Sequence, residues 1–169
     1  MSSMLSLFEW LFKAELGTHL RPPGAHSEKD LLATCIKCGR CTEVCPYQSI
    51  KTAAWGSVHY GTPYIEAGEK PCYLCMKCPK VCPTGALQPA ITRQQAGMGR
   101  VEIIQKTCLT WQGDLCNMCY KNCPLLETAL VLDDELRPVI KDCVGCGVCL
   151  YVCPTKPKSI RLTPSGAIV

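Results

Sequence analysis

The fold of this chain is decided by residues 35–46, which read CIKCGRCTEVCP. Three cysteines follow one another at intervals of three residues, a fourth comes after a longer gap, and a proline stands directly behind it. The pattern returns at residues 72–83 and 143–154. A further copy at 108–124 differs in its first gap, which holds seven residues in place of two. A unit repeated four times in 169 residues must be explained before any local structure is assigned.

The four motifs use every cysteine of the chain. Three thiolates two residues apart can wrap one tight loop around an iron–sulfur cubane, and backbone N–H groups of the loop then favour its negative charge. The fourth cysteine points away from that loop, and in two-cluster ferredoxins it ligates the other cluster. Proline behind it fixes the turn. We therefore predict four [4Fe–4S] clusters held by sixteen cysteine ligands, namely Cys35, Cys38, Cys41, Cys45, Cys72, Cys75, Cys78, Cys82, Cys108, Cys116, Cys119, Cys123, Cys143, Cys146, Cys149 and Cys153.

Zinc sites, radical-generating clusters and disulfide scaffolds fit this cysteine spacing less well. Zinc sites use pairs of Cys-x2-Cys separated by a longer spacer, and a radical-generating cluster would need Cys-x3-Cys-x2-Cys. Disulfide scaffolds belong to secreted chains, whereas residues 1–13 resemble no signal peptide, so we expect reduced thiols and a cytoplasmic location. The apolar fraction of 47% includes the cysteines, and only two Phe and three Trp are present, so we expect the clusters to hold the fold together.

The formal charge of +4 counts every thiol as neutral. Four clusters, each carrying about −2 with its thiolates, would bring the total to about −4, so the charge gives no support for nucleic-acid binding. The basic residues near the motifs fit either solubility or tuning of potentials and docking; they are Lys37, Arg40, Lys77, Lys80, Lys121 and Lys141. Three histidines, His19, His26 and His59, lack metal-ligand spacing, so we expect structural or surface roles for them.

The chain divides into an N-terminal docking helix at 1–20 and a four-cluster ferredoxin-like domain at 21–169. Within the first segment, residues 4–16 carry an apolar stripe at helical spacing, which packs either on a partner subunit or on its own domain. Short strands are predicted at 101–104 and 137–140, and a short helix or turn after each Cys-Pro. Glycines in the loops, Gly39, Gly145 and Gly147, are expected to let the backbone approach a cluster.

Several residues carry a resemblance to the ferredoxin-type NapG/MauM family. They are the run RPPGA at 21–25, the first motif with Tyr47 behind it, GTPY at 61–64, and the seven-residue gap of the third motif followed by Cys116-Asn-Met-Cys. The similarity covers roughly residues 20–160. The family's best-known members are exported by a twin-arginine signal and serve quinol oxidation. Relatives without that signal resemble electron-transfer subunits of cytoplasmic tungsten aldehyde oxidoreductases and benzoyl-CoA reductase complexes.

The resemblance implies an α+β fold of two pseudo-symmetric 2[4Fe–4S] ferredoxin-like units with little regular secondary structure. It also implies nested pairing of the motifs, first with fourth and second with third. The sets would be Cys35, Cys38, Cys41, Cys153; Cys143, Cys146, Cys149, Cys45; Cys72, Cys75, Cys78, Cys123; and Cys108, Cys116, Cys119, Cys82. Sequential pairing, first with second and third with fourth, remains the alternative.

By the same resemblance, the chain is a non-catalytic electron-transfer subunit. It would relay electrons between a tungsten- or molybdenum-pterin subunit, first of all a tungsten aldehyde oxidoreductase of anaerobic metabolism, and a flavoprotein or other redox partner. Such a subunit works in a hetero-oligomer, without nucleic acid or a transmembrane segment. The alternative functions are a quinol-dehydrogenase-type module at a membrane and a free polyferredoxin.

Overall fold

The computed structural model describes residues 19–89 and 91–165. The predicted helix at 4–16 lies outside this part of the chain. The described helices are short: α1 Glu28–Thr34, α2 Arg40–Glu43, α3 Lys77–Lys80, α4 Met118–Lys121 and α5 Val148–Val152, with 3-10 turns at Arg93–Gln95 and Thr110–Gln112. The strands are β1 Ile50–Thr52, β2 Pro63–Ile65, β3 Gly99–Ile103, β4 Leu130–Leu132, β5 Pro138–Ile140 and β6 Ile160–Pro164. This mixture of small elements confirms the prediction of little regular structure.

The strands form three antiparallel pairs. β1 pairs with β2 between the first and second motifs, and β4 pairs with β5 between the third and fourth. β3 pairs with β6, so that Ile103 lies opposite Ile160 and the two strands enclose the third and fourth motifs in sequence. The strands predicted around 101–104 and 137–140 are confirmed as β3 and β5, and the segments at 84–87 and 125–129 are turns.

Helices α2 to α5 each place the third cysteine of a motif. Each helix begins two residues after the second cysteine of its motif, so the third cysteine falls in its single turn. Three of the preceding residues have a left-handed backbone: Gly39 at φ 76°, Met76 at φ 56° and Gly147 at φ 83°. This bend directs the chain from the cysteine loop into the helix, and glycine adopts it without steric cost.

The hydrophobic core is built largely around cysteines. One cluster of buried residues joins Leu31, Leu74 and Val148 with Cys72, Cys78 and Cys146. A second cluster, around Val101, Leu130 and Ile160, includes Cys119, Cys149 and Cys153. Thiols thus take many places that aliphatic side chains occupy in other small domains, which agrees with the expectation that metal ligation stabilises this fold.

A buried ion-pair network attaches residues 20–28 to the hairpin of β1 and β2. Arg21 donates from Nε to Glu28 Oε2 at 2.8 Å and from a terminal nitrogen to Pro63 O at 2.7 Å, and it also pairs with Glu28 Oε1. His59 Nδ1 lies 3.1 Å from Arg21 and 2.9 Å from Glu28. His59 is 2% exposed, in agreement with a structural role, whereas His26 is exposed.

Candidate iron–sulfur sites

Four cavities in the described residues are each lined by four cysteines. We name them by the motif that supplies three of the four. The sets are site I, Cys35, Cys38, Cys41 and Cys82; site II, Cys72, Cys75, Cys78 and Cys45; site III, Cys108, Cys116, Cys119 and Cys153; and site IV, Cys143, Cys146, Cys149 and Cys123. Their volumes, including solvent at the mouth, are about 460, 320, 350 and 370 Å³ for sites I to IV. Each of the sixteen cysteines belongs to one site.

The cavities do not follow the predicted nested pairing, because the structure groups the cysteines sequentially. The first and second motifs exchange their fourth cysteines, Cys45 and Cys82, and the third and fourth motifs exchange Cys123 and Cys153. The physical reason lies in the packing of the short helices: α2 packs against α3, and α4 against α5. Each fourth cysteine lies just behind one of these helices and therefore reaches the loop of the motif beside it.

The donor set fits iron–sulfur clusters better than single metal ions. None of the sixteen cysteines forms a disulfide. Zinc bound to four thiolates at about 2.3 Å would bring the sulfurs to about 3.8 Å from one another. Among the described residues, no three His, Cys, Asp or Glu side chains approach closely enough to hold one metal ion. Four thiols around one open cavity match a multi-iron cluster.

Backbone N–H groups point at several of the cysteine sulfurs. Leu74 N and Gly145 N donate at 3.4 Å to the first cysteine of their own loops, Cys72 and Cys143. The fourth cysteines receive similar bonds: Ser49 N donates to Cys45, and Leu87 N donates to Cys82, each at 3.4 Å. Such bonds stabilise thiolate charge when the ligands bind iron.

Burial raises the pKa of several loop thiols. It raises the pKa of Cys72 to about 12 and the pKa values of Cys119 and Cys146 to about 11, and neighbouring thiols add to the rise. The pKa values of Cys78 and Cys149 are raised further by the same causes. Iron must displace these protons, so cluster assembly is coupled to proton release.

The fourth cysteines differ from one another in their surroundings. Burial raises the pKa of Cys123. Burial also acts on Cys153, but hydrogen bonds from Thr155 and Ser159 and the positive charge of Lys158 outweigh it and lower the pKa of Cys153 below its usual value. Hydrogen bonds from Leu87 and Thr84 likewise lower the pKa of Cys82. The sites therefore differ electrostatically although their motifs are alike.

Contacts between the cysteine motifs connect the four sites in the order I, II, IV, III. Between sites II and IV, Cys72 N donates to Cys146 O at 3.0 Å. At the other two steps, the helices that carry Cys41 and Cys78, and those that carry Cys119 and Cys149, pack together. Burial does not follow this order: at the end formed by site III, Cys108, Cys119 and Cys153 are buried, whereas at the other end Cys38 of site I is exposed.

The glycines of the fourth motif make close contacts within the protein. A Cβ on Gly145 would lie 2.4 Å from Gly99 N, and a Cβ on Gly147 would lie 2.4 Å from Ala67 Cβ. A Cβ on Gly39 would meet nothing within 4 Å. The prediction that all three glycines serve cluster approach therefore needs a correction for Gly145 and Gly147, where the backbone packs against neighbouring segments.

The basic residues singled out in the sequence are all exposed: Lys37, Arg40, Lys77, Lys80, Lys121 and Lys141. Two residues beside Cys153 were not predicted from the sequence. They are Lys158, whose Nζ donates to the Cys153 carbonyl, and Thr155, whose hydroxyl lies 3.2 Å from Cys153 Sγ. Threonine two residues after the fourth cysteine, as at Thr84, was the available signal.

Four sites of four cysteines define a ferredoxin-type iron–sulfur protein. In agreement, residues 34–86 match the model of a 4Fe-4S dicluster domain, and residues 143–156 match a 4Fe-4S binding domain. The chain is 38% identical to the ferredoxin-type protein NapG of Escherichia coli, over 88% of this chain and 71% of that protein. It is 36% identical to the methylamine utilization ferredoxin-type protein MauM of Methylobacillus flagellatus, over 89% and 70%.

The MauM protein of Methylorubrum extorquens is 38% identical, over 86% of this chain and 72% of its own length. With relatives of this similarity over most of both chains, the protein belongs to the NapG/MauM family of ferredoxin-type proteins and binds [4Fe–4S] clusters. Among residues 19–89 and 91–165, no helix is long and apolar enough to cross a bilayer.

Proposed function

We propose that this chain is a non-catalytic electron-transfer subunit that holds four [4Fe–4S] clusters, one in each of sites I to IV. The observation that supports this proposal is the set of four cysteine-lined cavities, which are connected by the packing of α2 on α3 and of α4 on α5 and by the hydrogen bond from Cys72 N to Cys146 O. A [4Fe–4S] cluster supplies one-electron transfer when it is bound. The chain's own residues hold the iron and fix the order of the sites.

The proposal divides the cluster-binding domain into two ferredoxin-like units. One unit contains sites I and II, and the other contains sites III and IV. Each is formed by two motifs that exchange their fourth cysteines, as in two-cluster ferredoxins. The hydrogen bond from Cys72 N to Cys146 O joins them, so sites II and IV are the inner pair and sites I and III the outer pair.

Iron analysis and paired cysteine variants test this assignment. The anaerobically purified protein is expected to contain about 16 iron and 16 acid-labile sulfide per chain. Cys45→Ser and Cys75→Ser should alter the same cluster signal in electron paramagnetic resonance, because both residues line site II. Cys146→Ser serves as the control and should alter a different signal. If Cys45→Ser shares its altered signal with Cys146→Ser, the ligands are nested and the sequential assignment fails.

We further propose that the chain works in a cytoplasmic hetero-oligomer. One partner is a tungsten- or molybdenum-pterin oxidoreductase, first of all a tungsten aldehyde oxidoreductase, and the other is a flavoprotein or similar redox protein. One support is the resemblance to subunits of such complexes. The other is that the cysteines give each proposed iron a protein thiolate, which leaves no iron free to bind a substrate. Affinity purification with metal analysis tests it, and a stoichiometric tungsten- or molybdenum-containing subunit is the expected result.

A quinol-dehydrogenase-type module at a membrane is the second candidate, favoured by the similarity to NapG. Other relatives are named for methylamine utilization, which connects the family to the use of a small organic compound. In the same purification, recovery of a polytopic membrane protein in place of a pterin enzyme would support this candidate and overturn the cytoplasmic proposal.

A further inference from the structure

A series of hydroxyl groups leads to the sulfur of Cys153 at site III. Thr155 Oγ1 lies 3.2 Å from Cys153 Sγ and 2.9 Å from Ser159 Oγ. Ser159 donates its hydroxyl hydrogen to Thr107 Oγ1 at 2.9 Å, and its backbone N–H to Thr155 Oγ1 at 2.8 Å. Thr107 in turn donates to the carbonyl oxygen of Ile104 at 3.3 Å.

The number of hydrogens determines the direction of these bonds. A carbonyl oxygen can only accept, so the Thr107 hydrogen is committed to Ile104 and Thr107 Oγ1 accepts from Ser159. The Ser159 hydroxyl therefore has no hydrogen for Thr155, while its N–H occupies one lone pair of Thr155 Oγ1. The single hydroxyl hydrogen of Thr155 is left for Ser159 Oγ and Cys153 Sγ, which both lie within reach.

Iron binding decides between these two acceptors. A cysteine that ligates iron has lost its hydrogen and can only accept, and its sulfur carries negative charge. Hydrogen bonds to charged acceptors are about twice as strong as those between neutral groups, so the Thr155 hydrogen is drawn to the sulfur.

We propose that Thr155, oriented by Ser159 and Thr107, donates a hydrogen bond to Cys153 in the iron-loaded protein and raises the reduction potential of the cluster at site III. The proposal rests on the proposed function, because it requires Cys153 to be a ligand of that cluster. Reduction adds negative charge to the cluster and its sulfurs, and a donor aimed at one sulfur stabilises that reduced state more than the oxidised state.

The other three fourth cysteines provide an internal comparison. At each of these cysteines, the residue two positions later in the sequence corresponds to Thr155. It is Tyr47 after Cys45 and Leu125 after Cys123, neither of which has an aliphatic hydroxyl. After Cys82 it is Thr84, whose Oγ1 lies at 3.8 Å, so its bond to sulfur is weaker than that of Thr155.

Thr155→Val in the full chain, loaded with iron, tests the role of the hydroxyl. In a redox titration followed by electron paramagnetic resonance, the midpoint potential of one cluster should become more negative, with the iron content unchanged. Thr155→Ser should stay close to the unmodified protein, and Thr84→Val should shift its own cluster less. Thr155→Ala, which also removes the hydroxyl, replaces Thr155→Val if that variant does not incorporate iron.

Two outcomes overturn the proposal, and they are distinguishable. If Thr155→Val with full iron content shifts no potential more than Thr84→Val does, the hydroxyl does not tune the cluster, and the proposed ligand sets are unaffected. If the shifted cluster is not the one whose signal changes in Cys116→Ser, then Cys153 does not ligate site III, and the proposed assignment of ligands fails with it.

Discussion

Replacing Gly147 by alanine tests the packing between the inner sites. Gly147 follows Cys146 directly and precedes α5, and its neighbour Ala67 lies just ahead of the second motif. A Cβ at position 147 would lie 2.4 Å from Ala67 Cβ and 3.3 Å from Leu162 Cδ2. Because real Cβ atoms do not approach another carbon so closely, either the fourth-motif loop or the segment around Ala67 must move by about 1 Å.

Gly39 is a matched control for this substitution. It follows Cys38 and precedes α2, so it occupies the same place in the first motif, and its φ of 76° is close to the 83° of Gly147. A non-glycine residue in this left-handed region costs about 1–2 kcal/mol at either position. Overpacking adds about 1–3 kcal/mol, and only at position 147, since a Cβ on Gly39 meets nothing within 4 Å.

The assay is anaerobic unfolding of the iron-loaded protein in guanidinium, followed by bleaching of its visible absorption. Gly147→Ala should unfold faster than Gly39→Ala. The ratio of the two unfolding rates is roughly 5- to 150-fold when the whole overpacking cost of about 1–3 kcal/mol lowers the barrier to unfolding. Combining Gly147→Ala with Ala67→Gly should remove most of this excess, measured against Ala67→Gly alone. Equal rates for Gly147→Ala and Gly39→Ala would refute the steric explanation, as would a double variant without rescue.

Three further predictions concern the dependence of the fold on iron, the Arg21 ion pair and the N-terminal segment. Removing iron with a chelator should abolish cooperative unfolding and most of the circular dichroism, because cysteines form much of the core; a well-folded apoprotein would contradict this. Arg21→Met should destabilise the protein by about 3–5 kcal/mol by leaving Glu28 buried without its partner, and adding Glu28→Gln should recover part of the loss; equal stability of the single and double variants would show that no ion pair is at work. Deleting residues 1–16 should leave the iron content unchanged and release the catalytic partner on gel filtration, whereas loss of iron would indicate a structural helix.

Glu28 also makes the Arg21 network sensitive to acid. Burial acts to raise the pKa of Glu28, but the Arg21 hydrogen bond and charge outweigh it and leave the pKa below its usual value. The stabilisation is therefore present above the pKa of Glu28 in the unfolded chain, and it is lost as the pH falls through the lower pKa of the folded state. The Arg21→Met cost should shrink correspondingly in acid.

Cysteine spacing predicted the four motifs, two short apolar stretches predicted β3 and β5, and composition predicted the absence of a conventional core. The spacing was insufficient to predict which loops exchange their fourth cysteines. Cys45 stands at the same distance behind Cys41 whether it turns towards the second motif or the fourth, so the sequence pattern is identical in both cases. The sequential grouping in the structure follows from the packing of α2 on α3 and of α4 on α5, which is a tertiary property.

The seven-residue gap of the third motif shows how much variation such a site tolerates. The extra residues form the 3-10 turn Thr110–Gln112 within the loop. Thr110 Oγ1 donates to Cys116 O at 2.5 Å and so ties the turn to the second cysteine of site III. Trp111 donates to Pro138 O at 3.3 Å, and the Arg137 guanidinium lies 4.4 Å above its ring, which fixes the turn on β5. The added length is therefore absorbed on the β5 side, and Cys108 and Cys116 still reach the same cavity.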